Sequence, residues 1–194
     1  MSESQLTKKA LAAALKELVA TTSLAKITVA DIVTQCGLQR QTFYYHFRDK
    51  YELVNWIYQT EALAEISDCK DYQNWPEGFR RIFTYLAANR VFYIDALKTQ
   101  YPSTFADYLY AVTRELILNV LKEVAGRLHA HVRDDNQNFI ADFYAFACVG
   151  ITVRWIKEGM QETPADLTER ITDVLTGSME RALATNVRLQ GFGT

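Results

Sequence analysis

Between Gln39 and Lys50 ten of twelve side chains can hydrogen-bond, among them Gln39, Arg40, Gln41, Thr42, Tyr44, Tyr45, His46 and Lys50. Arg pairs with guanine, Gln pairs with adenine, and the Thr methyl can touch thymine. Hydroxyl, imidazole and ammonium groups suit phosphate oxygens. Phe43 and Phe47, four residues apart, are expected to pack inward, so Tyr44 and Tyr45 cannot both be buried with them. Tyr44 then offers its hydroxyl to a phosphate, and Tyr45 lies near the bases. His46 has no acid or nucleophile placed beside it, so contact with a phosphate or simple exposure suits it better than catalysis.

Such a surface needs a frame, and the stretch from Thr28 to Tyr51 supplies one. Thr28 is a good N-cap, with Asp31 three residues on as its capping-box partner. Val29, Ile32 and Val33 form the apolar side of a short helix, and Cys36-Gly37 ends it. A second short helix follows from about Gln39 to Tyr45. Two short helices around a glycine turn form a helix-turn-helix, whose second helix enters the major groove. Asp49 caps a fourth helix with Glu52 as box partner, and Leu53, Trp56, Ile57, Thr60, Leu63 and Ala64 make its one face. That helix joins head to body. Moving its end would rotate the recognition helix.

Thr28–Tyr51 resembles the N-terminal domain of the TetR family of bacterial transcription regulators. The run Thr42-Phe43-Tyr44-Tyr45-His46-Phe47, followed by Lys50, resembles that family's recognition helix and the start of its fourth helix. The longer run TFYYHFRDKYELVNWI is similar to the branch that includes dihydroxyacetone-kinase operon activators. One departure is Gln39, where many relatives carry Ser or Thr. It weakens the N-cap and shifts which bases are read. The resemblance implies DNA contact by Thr28, Gln39, Arg40, Gln41, Thr42, Tyr44, Tyr45, His46 and Lys50. Lys8 and Lys9, at the start of the first helix, then lie beside the phosphate backbone. The resemblance also implies an effector-binding body. In the activator branch the effector can be a kinase-like partner protein instead of a small molecule.

Nearly half of the 194 residues are hydrophobic, with only three prolines and eight glycines. Strand-like alternation is scarce, so an all-α fold is expected: a three-helix head over residues 1–48 and a helical-bundle body over 49–194, about nine helices in all. Through Asn55 there are seven Lys/Arg against five Asp/Glu, whereas the remainder carries 14 against 18. A mildly basic head on an acidic body suits contact with duplex. Three cysteines at wide spacing suggest no disulfide framework and a cytoplasmic setting. No secretory signal is read, and no apolar run reaches the ~18 residues of a membrane span.

In the body, Ser67–Trp75 reads as a loop and Pro76 opens a fifth helix. A short sixth helix spans Val91–Leu97, and a long seventh runs from about Ser103 to Leu128 after Tyr101-Pro102. His129, His131, Asp134 and Asp135 read as exposed loop residues, and no cofactor or metal is implied. The eighth helix, about Gln137 to Gly159, is apolar nearly all round and needs cover on every side. A second copy is the simplest cover, with a ninth helix over Pro164 to about Ala184 completing a four-helix interface. Phe139, Phe146, Gly150, Val153, Ile171, Val174 and Leu175 are its expected contacts. Val187–Thr194 reads as a frayed tail. Tyr85, Tyr93, Phe105, Tyr108 and Phe143 are the expected walls of an effector pocket, since buried Tyr hydroxyls need partners and so hint at a partly polar cavity.

The reading that follows is a homodimeric, sequence-specific regulator bound to operator DNA and controlled by a small molecule or a partner protein. A glycine-rich phosphate loop, a nucleophile motif and a convincing metal set are all lacking, which argues against an enzyme. An interaction module with a vestigial head is the alternative, and Arg40 and Lys50 speak against it.

Overall fold

The computed structural model describes residues 2–69, 73–98, 104–129 and 131–190, with the side chains of 186–190 left aside. Every regular element in it is helical. Three helices make the head: α1 (Glu3–Val19), α2 (Val29–Gln35) and α3 (Arg40–His46). Ser2 caps α1, and Leu11, Ala14, Leu15 and Val19 form its buried side. Thr28 and Asp31 make the full capping box of α2. Gly37, at φ +67°, ends that helix with a paired closure. Its N–H donates to the Thr34 carbonyl at 3.2 Å, and Leu38 N–H donates to Val33 at 2.8 Å. Glycine takes that conformation without the Cβ clash, and this closure sets the angle between α2 and α3.

Helix α4 (Lys50–Ile57) starts at Asp49, whose carboxylate accepts from the N–H groups of Tyr51 and Glu52 at 2.8 and 2.9 Å. The expected single helix does not continue. Tyr58–Ala62 is wound as a π-helix, closed by Leu63 N–H on the Tyr58 carbonyl five residues back at 3.1 Å, and Ala64–Ile66 is a 3-10 turn. The body then comprises α5 (Trp75–Ala88), α6 (Arg90–Lys98), α7 (Phe105–Arg127), α8 (Asp134–Lys157), α9 (Pro164–Leu175) and α10 (Ser178–Gln190). The single ninth helix read from the sequence is two, broken by Thr176 and by Gly177 at φ +69°. Helical winding also reaches Gln190, past the expected start of a frayed tail. The readings on Tyr101-Pro102 and on the last four residues fall outside the described residues.

One hydrophobic core runs from Leu11 in α1 through Ile32, Phe43, Leu53 and Ile57 into the body as far as Leu183. Helix α7 packs along α8, α5 packs on α9, and α4 reaches α1 and α7. Long, apolar α8 (24 residues) is also the one described helix with the length and composition of a membrane span. It is not covered all round. Ile140, Ala141, Tyr144, Ala145, Cys148, Trp155 and Ile156 are buried, while Phe139, Phe143 and Phe146 stand 71%, 63% and 65% exposed.

Candidate nucleic-acid interface and the body behind it

Helix α3 has only seven residues, too short to persist in water on its own. Phe43 and Phe47 hold it. Both are buried, their rings lie 5.8 Å apart, and Phe47 meets Trp56 of α4 edge-on at 5.9 Å. That anchoring leaves Gln39, Arg40, Gln41, Tyr44 and Tyr45 in solvent, with Thr42 and His46 half-buried. Tyr45 is 83% exposed, its ring edge-on to His46 at 4.9 Å. Gln39 is the N-cap of α3 and makes no side-chain cap bond, so its amide is not committed to the helix start. Lys8 lies over the rings of Phe47 and Trp56 at 5.6 and 6.0 Å, which fixes an ammonium beside the C-terminal end of α3.

Two expected contacts change role. Lys50 does not reach outward to phosphate. Its Nζ donates to the carbonyls of Leu24, Ala25 and Ile27 at 2.6, 3.1 and 2.6 Å, engaging all three protons. Burial pulls its pKa below the usual lysine value, against the raising effect of Asp31 and Asp49. Lys50 is thus a clamp on the loop before α2. Thr28 likewise serves its own helix. Its hydroxyl donates to Asp31 Oδ2 at 2.7 Å and accepts from Asp31 N–H at 3.2 Å. The Asp31 carboxyl is held below its ordinary range, first by the Thr28 hydroxyl, then by the Thr28 N–H that donates to Oδ2 at 2.8 Å, and then by Arg40 and Lys50 nearby.

The body grips the same loop from behind. Asp95 of α6 is buried and accepts from the Leu24 N–H and, at 3.2 Å, from the Ser23 hydroxyl. A second bridge links α1 to the π segment and to α5. Lys16 Nζ and the Tyr85 hydroxyl both donate to Glu61 Oε2 at 2.7 Å, and Tyr93 donates to the Tyr85 oxygen at 3.2 Å. Sequence reasoning missed Lys16, Glu61 and Asp95 as coupling residues. Each looks like a solvated charge, and only the fold brings it to a partner 45 or 72 residues away.

The expected pocket walls Tyr85, Tyr93, Phe105 and Tyr108 are not among the walls of the cavity that the body encloses between α5, α7 and α8. They form a packed aromatic block against Tyr58, with Phe105, Tyr93 and Tyr108 edge-on to its ring at 5.5, 6.1 and 6.2 Å. The hydroxyls of Tyr85 and Tyr93 are satisfied without a wet cavity, Tyr85 donating to Glu61 and Tyr93 to the Tyr85 oxygen. Phe143 points to solvent. The cavity between α5, α7 and α8 is about 80 Å³ in volume, with Tyr58 among its walls. Its walls include Cys69, Trp75, Phe79, Ile117, Thr113 and Cys148. Gly78 lets α5 close on it, since a Cβ there would stand 3.1 Å from the Cys69 carbonyl oxygen.

The expected dimer contacts also divide. Phe139, Phe146, Gly150 and Val174 are exposed and Val153 is half-buried, but Ile171 and Leu175 are buried in their own subunit. Those two occupy the side of α9 that packs on α5, and Leu175 lines the cavity. Phe143 joins the exposed set instead. Phe139, Phe143, Phe146, Gly150 and Val153 follow one another at spacings of four and three, a single stripe down α8.

Residues 10–57 match the family described as bacterial regulatory proteins, tetR family, and residues 73–177 match the transcriptional regulator C-terminal region of the TetR group. The HTH-type dhaKLM operon transcriptional activator DhaS of Lactococcus lactis subsp. lactis (strain IL1403) is 28% identical over 159 residues, 82% of this chain and 84% of its own. Among solved structures, the dihydroxyacetone kinase operon activator DhaS superposes with a TM-score of 0.69 at 26% identity, over 90% of this chain and 97% of that one. NalD, the secondary repressor of the MexAB-OprM multidrug efflux pump in Pseudomonas aeruginosa, gives 0.60 at 15% identity over 93% and 98%, a likeness of fold.

Proposed function

This chain belongs to the TetR family of transcription regulators, and from that premise we propose that it binds a pseudo-palindromic operator as a homodimer, in the cytoplasm, under control of an effector acting on the body. The observation that carries this reading is the face of α3. It projects Gln39, Arg40 and Gln41 while Phe43 and Phe47 hold the helix from beneath. Arg40 and Gln41 are the base-reading residues, with Thr42 and Tyr45 beside them. Tyr44, His46 and Lys8 hold phosphates. The head (1–48) supplies these contacts, and the body (49–194) supplies dimerisation and control.

The second copy covers the α8 stripe. Three phenylalanines more than 60% exposed on one helix face make the kind of contiguous apolar patch that soluble chains rarely leave in water. Val174 of α9, 72% exposed, extends it. A two-fold axis there would offer two α3 helices to successive major grooves, about 34–36 Å apart or a multiple of that. Control comes from a small molecule or from a kinase-like partner protein. The relative named as an operon activator supports activation as the sign of regulation.

A gel-shift against the gene's own upstream region tests the reading. Binding at low salt that weakens steeply as salt rises is the expected result, because cations on the protein displace counterions from the duplex. No shift at low salt overturns it. Phe146→Glu puts a charge into both halves of a self-complementary interface. Sedimentation should then show monomers, and operator binding should fall with dimer content.

A further inference from the structure

Two cations of the head serve the fold. Lys50 has its three protons on the carbonyls of Leu24, Ala25 and Ile27, and Lys16 is held by Glu61. Arg48, in the loop between α3 and α4, is different: its side chain is 87% exposed. We propose that Arg48 holds a phosphate of the operator backbone, the part that Lys50 does not take. This role rests on the regulator reading and gives the head one more binding residue.

The local chain sets the direction of the side chain. Phe47 has extended backbone, φ −142° and ψ 138°, and successive side chains of an extended segment point to opposite sides. The Phe47 ring goes into the core, and Arg48 is turned out. Glu52 then steadies it. Its Oε2 accepts from the Arg48 N–H at 2.6 Å and from Nε at 3.3 Å. The two terminal nitrogens of the guanidinium have no partner among the described residues. They form a planar fork that matches phosphate oxygens. Lys8, over the Phe47 ring at 5.6 Å, sets a second cation beside the same end of α3. Base reading belongs to the first residues of a recognition helix, so a cation beyond its last residue meets backbone.

Helix stability does not account for a cation at this place. Arg48 stands just before Asp49, the N-cap of α4, where the helix dipole favours negative charge. Arg48 and Glu52 are spaced four apart with the cation first, the less favourable order. Exposed pairs of this kind contribute little to folding. The fold thus gains almost nothing from the charge of Arg48, whereas a phosphate gains a fork already aimed at solvent.

The test titrates the full chain against the gene's own upstream region and against an unrelated duplex of equal length, at about 50 to 200 mM salt. Arg48→Ala should bind both duplexes at least threefold more weakly at the low-salt end. Its slope of log affinity against log salt should fall by about 0.9 per subunit, the value of one phosphate contact. Arg48→Lys, which keeps the charge, should keep most of the slope, and thermal melts should superpose both variants on wild type. Arg48→Gln serves should Arg48→Ala unfold. An unchanged slope in folded Arg48→Ala overturns the proposal. So does an equal loss of slope in Arg48→Lys, and so does a loss confined to the upstream region, which would make Arg48 a base reader. Failure of the wild-type chain to bind the upstream region at low salt would be a failure of the regulator reading instead.

Discussion

The recognition helix and the body cavity are both small sites, but they are built in opposite ways. On α3 the acting side chains are consecutive, exposed and held by two buried phenylalanines beneath them. Around the cavity the walls come from residues as far apart as Tyr58 and Met179, carried on several different helices, and most are part of the core. The first arrangement separates function from folding, since an exposed side chain can change without disturbing Phe43 or Phe47. The second merges them. Any change that reshapes the cavity also alters the packing that keeps the chain folded.

The sharpest way to break this contrast is to delete a cavity wall. Phe83 is 1% exposed and lies edge-on to Trp155 at 5.4 Å. Phe83→Ala should lower stability by about 3–5 kcal/mol, a large share of the ~5–15 kcal/mol of a whole domain. Chemical denaturation measures it. A loss near zero would mean that the body is less tightly packed than the geometry shows. Next comes a residue that crosses the divide. Lys50 stands in the head but works like a body residue, clamping the Leu24, Ala25 and Ile27 carbonyls. Lys50→Met should cost about 1.5–3 kcal/mol of stability, the scale of hydrogen bonds to a charged group. The slope of operator affinity against salt should stay unchanged. A slope reduced by about one would restore Lys50 as a phosphate contact.

Arg40→Ala is the converse test. It should leave the melting temperature where it was, weaken operator binding by about 1–3 kcal/mol, and relax preference at one base position. A uniform loss across sequences would make Arg40 a phosphate contact. The caps give a matched pair of smaller effects. Thr28–Asp31 in the head and Thr104–Asp107 in the body are the same capping box. Thr28→Ala and Thr104→Ala should each cost about 1 kcal/mol, or roughly 2–4 °C in a chain of this size. Only the first should also weaken operator binding, because it loosens the helix that seats α3.

The contrast also explains what could be read from the sequence. The head was legible because its signals are local: a capping box, a glycine closure at Gly37, and two phenylalanines four apart. The all-helical class was legible for the same reason. Helical spacing names a face but not what covers it, so Ile171 and Leu175 were placed at the dimer interface when α5 covers them. Phe143 was set among the pocket residues, although its spacing from Phe139 and Phe146 puts all three on one stripe. Tyrosine hydroxyls suggest a polar pocket, but Glu61 satisfies Tyr85, and Tyr85 in turn Tyr93, across distances no local pattern encodes. The π winding of Tyr58–Ala62 has no proline or glycine to announce it. Only the fold shows what it serves: Tyr58 packs on Tyr93, Phe105 and Tyr108, while Glu61 reaches Lys16.

The smallest effect lies on the rim between the two kinds of site. Glu77 of α5 accepts from Arg80 at 2.6 and 2.7 Å and from Arg81 at 2.8 Å. Arg81 in turn donates to the Glu65 carbonyl at 3.0 Å and to Asp68 at 2.8 Å, tying α5 to the turn that carries Cys69. These hydrogen bonds, before any longer-range attraction, hold the Glu77 carboxyl down to about 2 from an ordinary 4.5. A carboxyl depressed by folding stabilises the fold above its unfolded value, and that contribution is lost as pH falls through 4.5 towards 2. Thermal melts should therefore show wild type losing more than Glu77→Gln across that window, with the difference shrinking in high salt because the group is exposed. Operator binding at neutral pH should not distinguish the two.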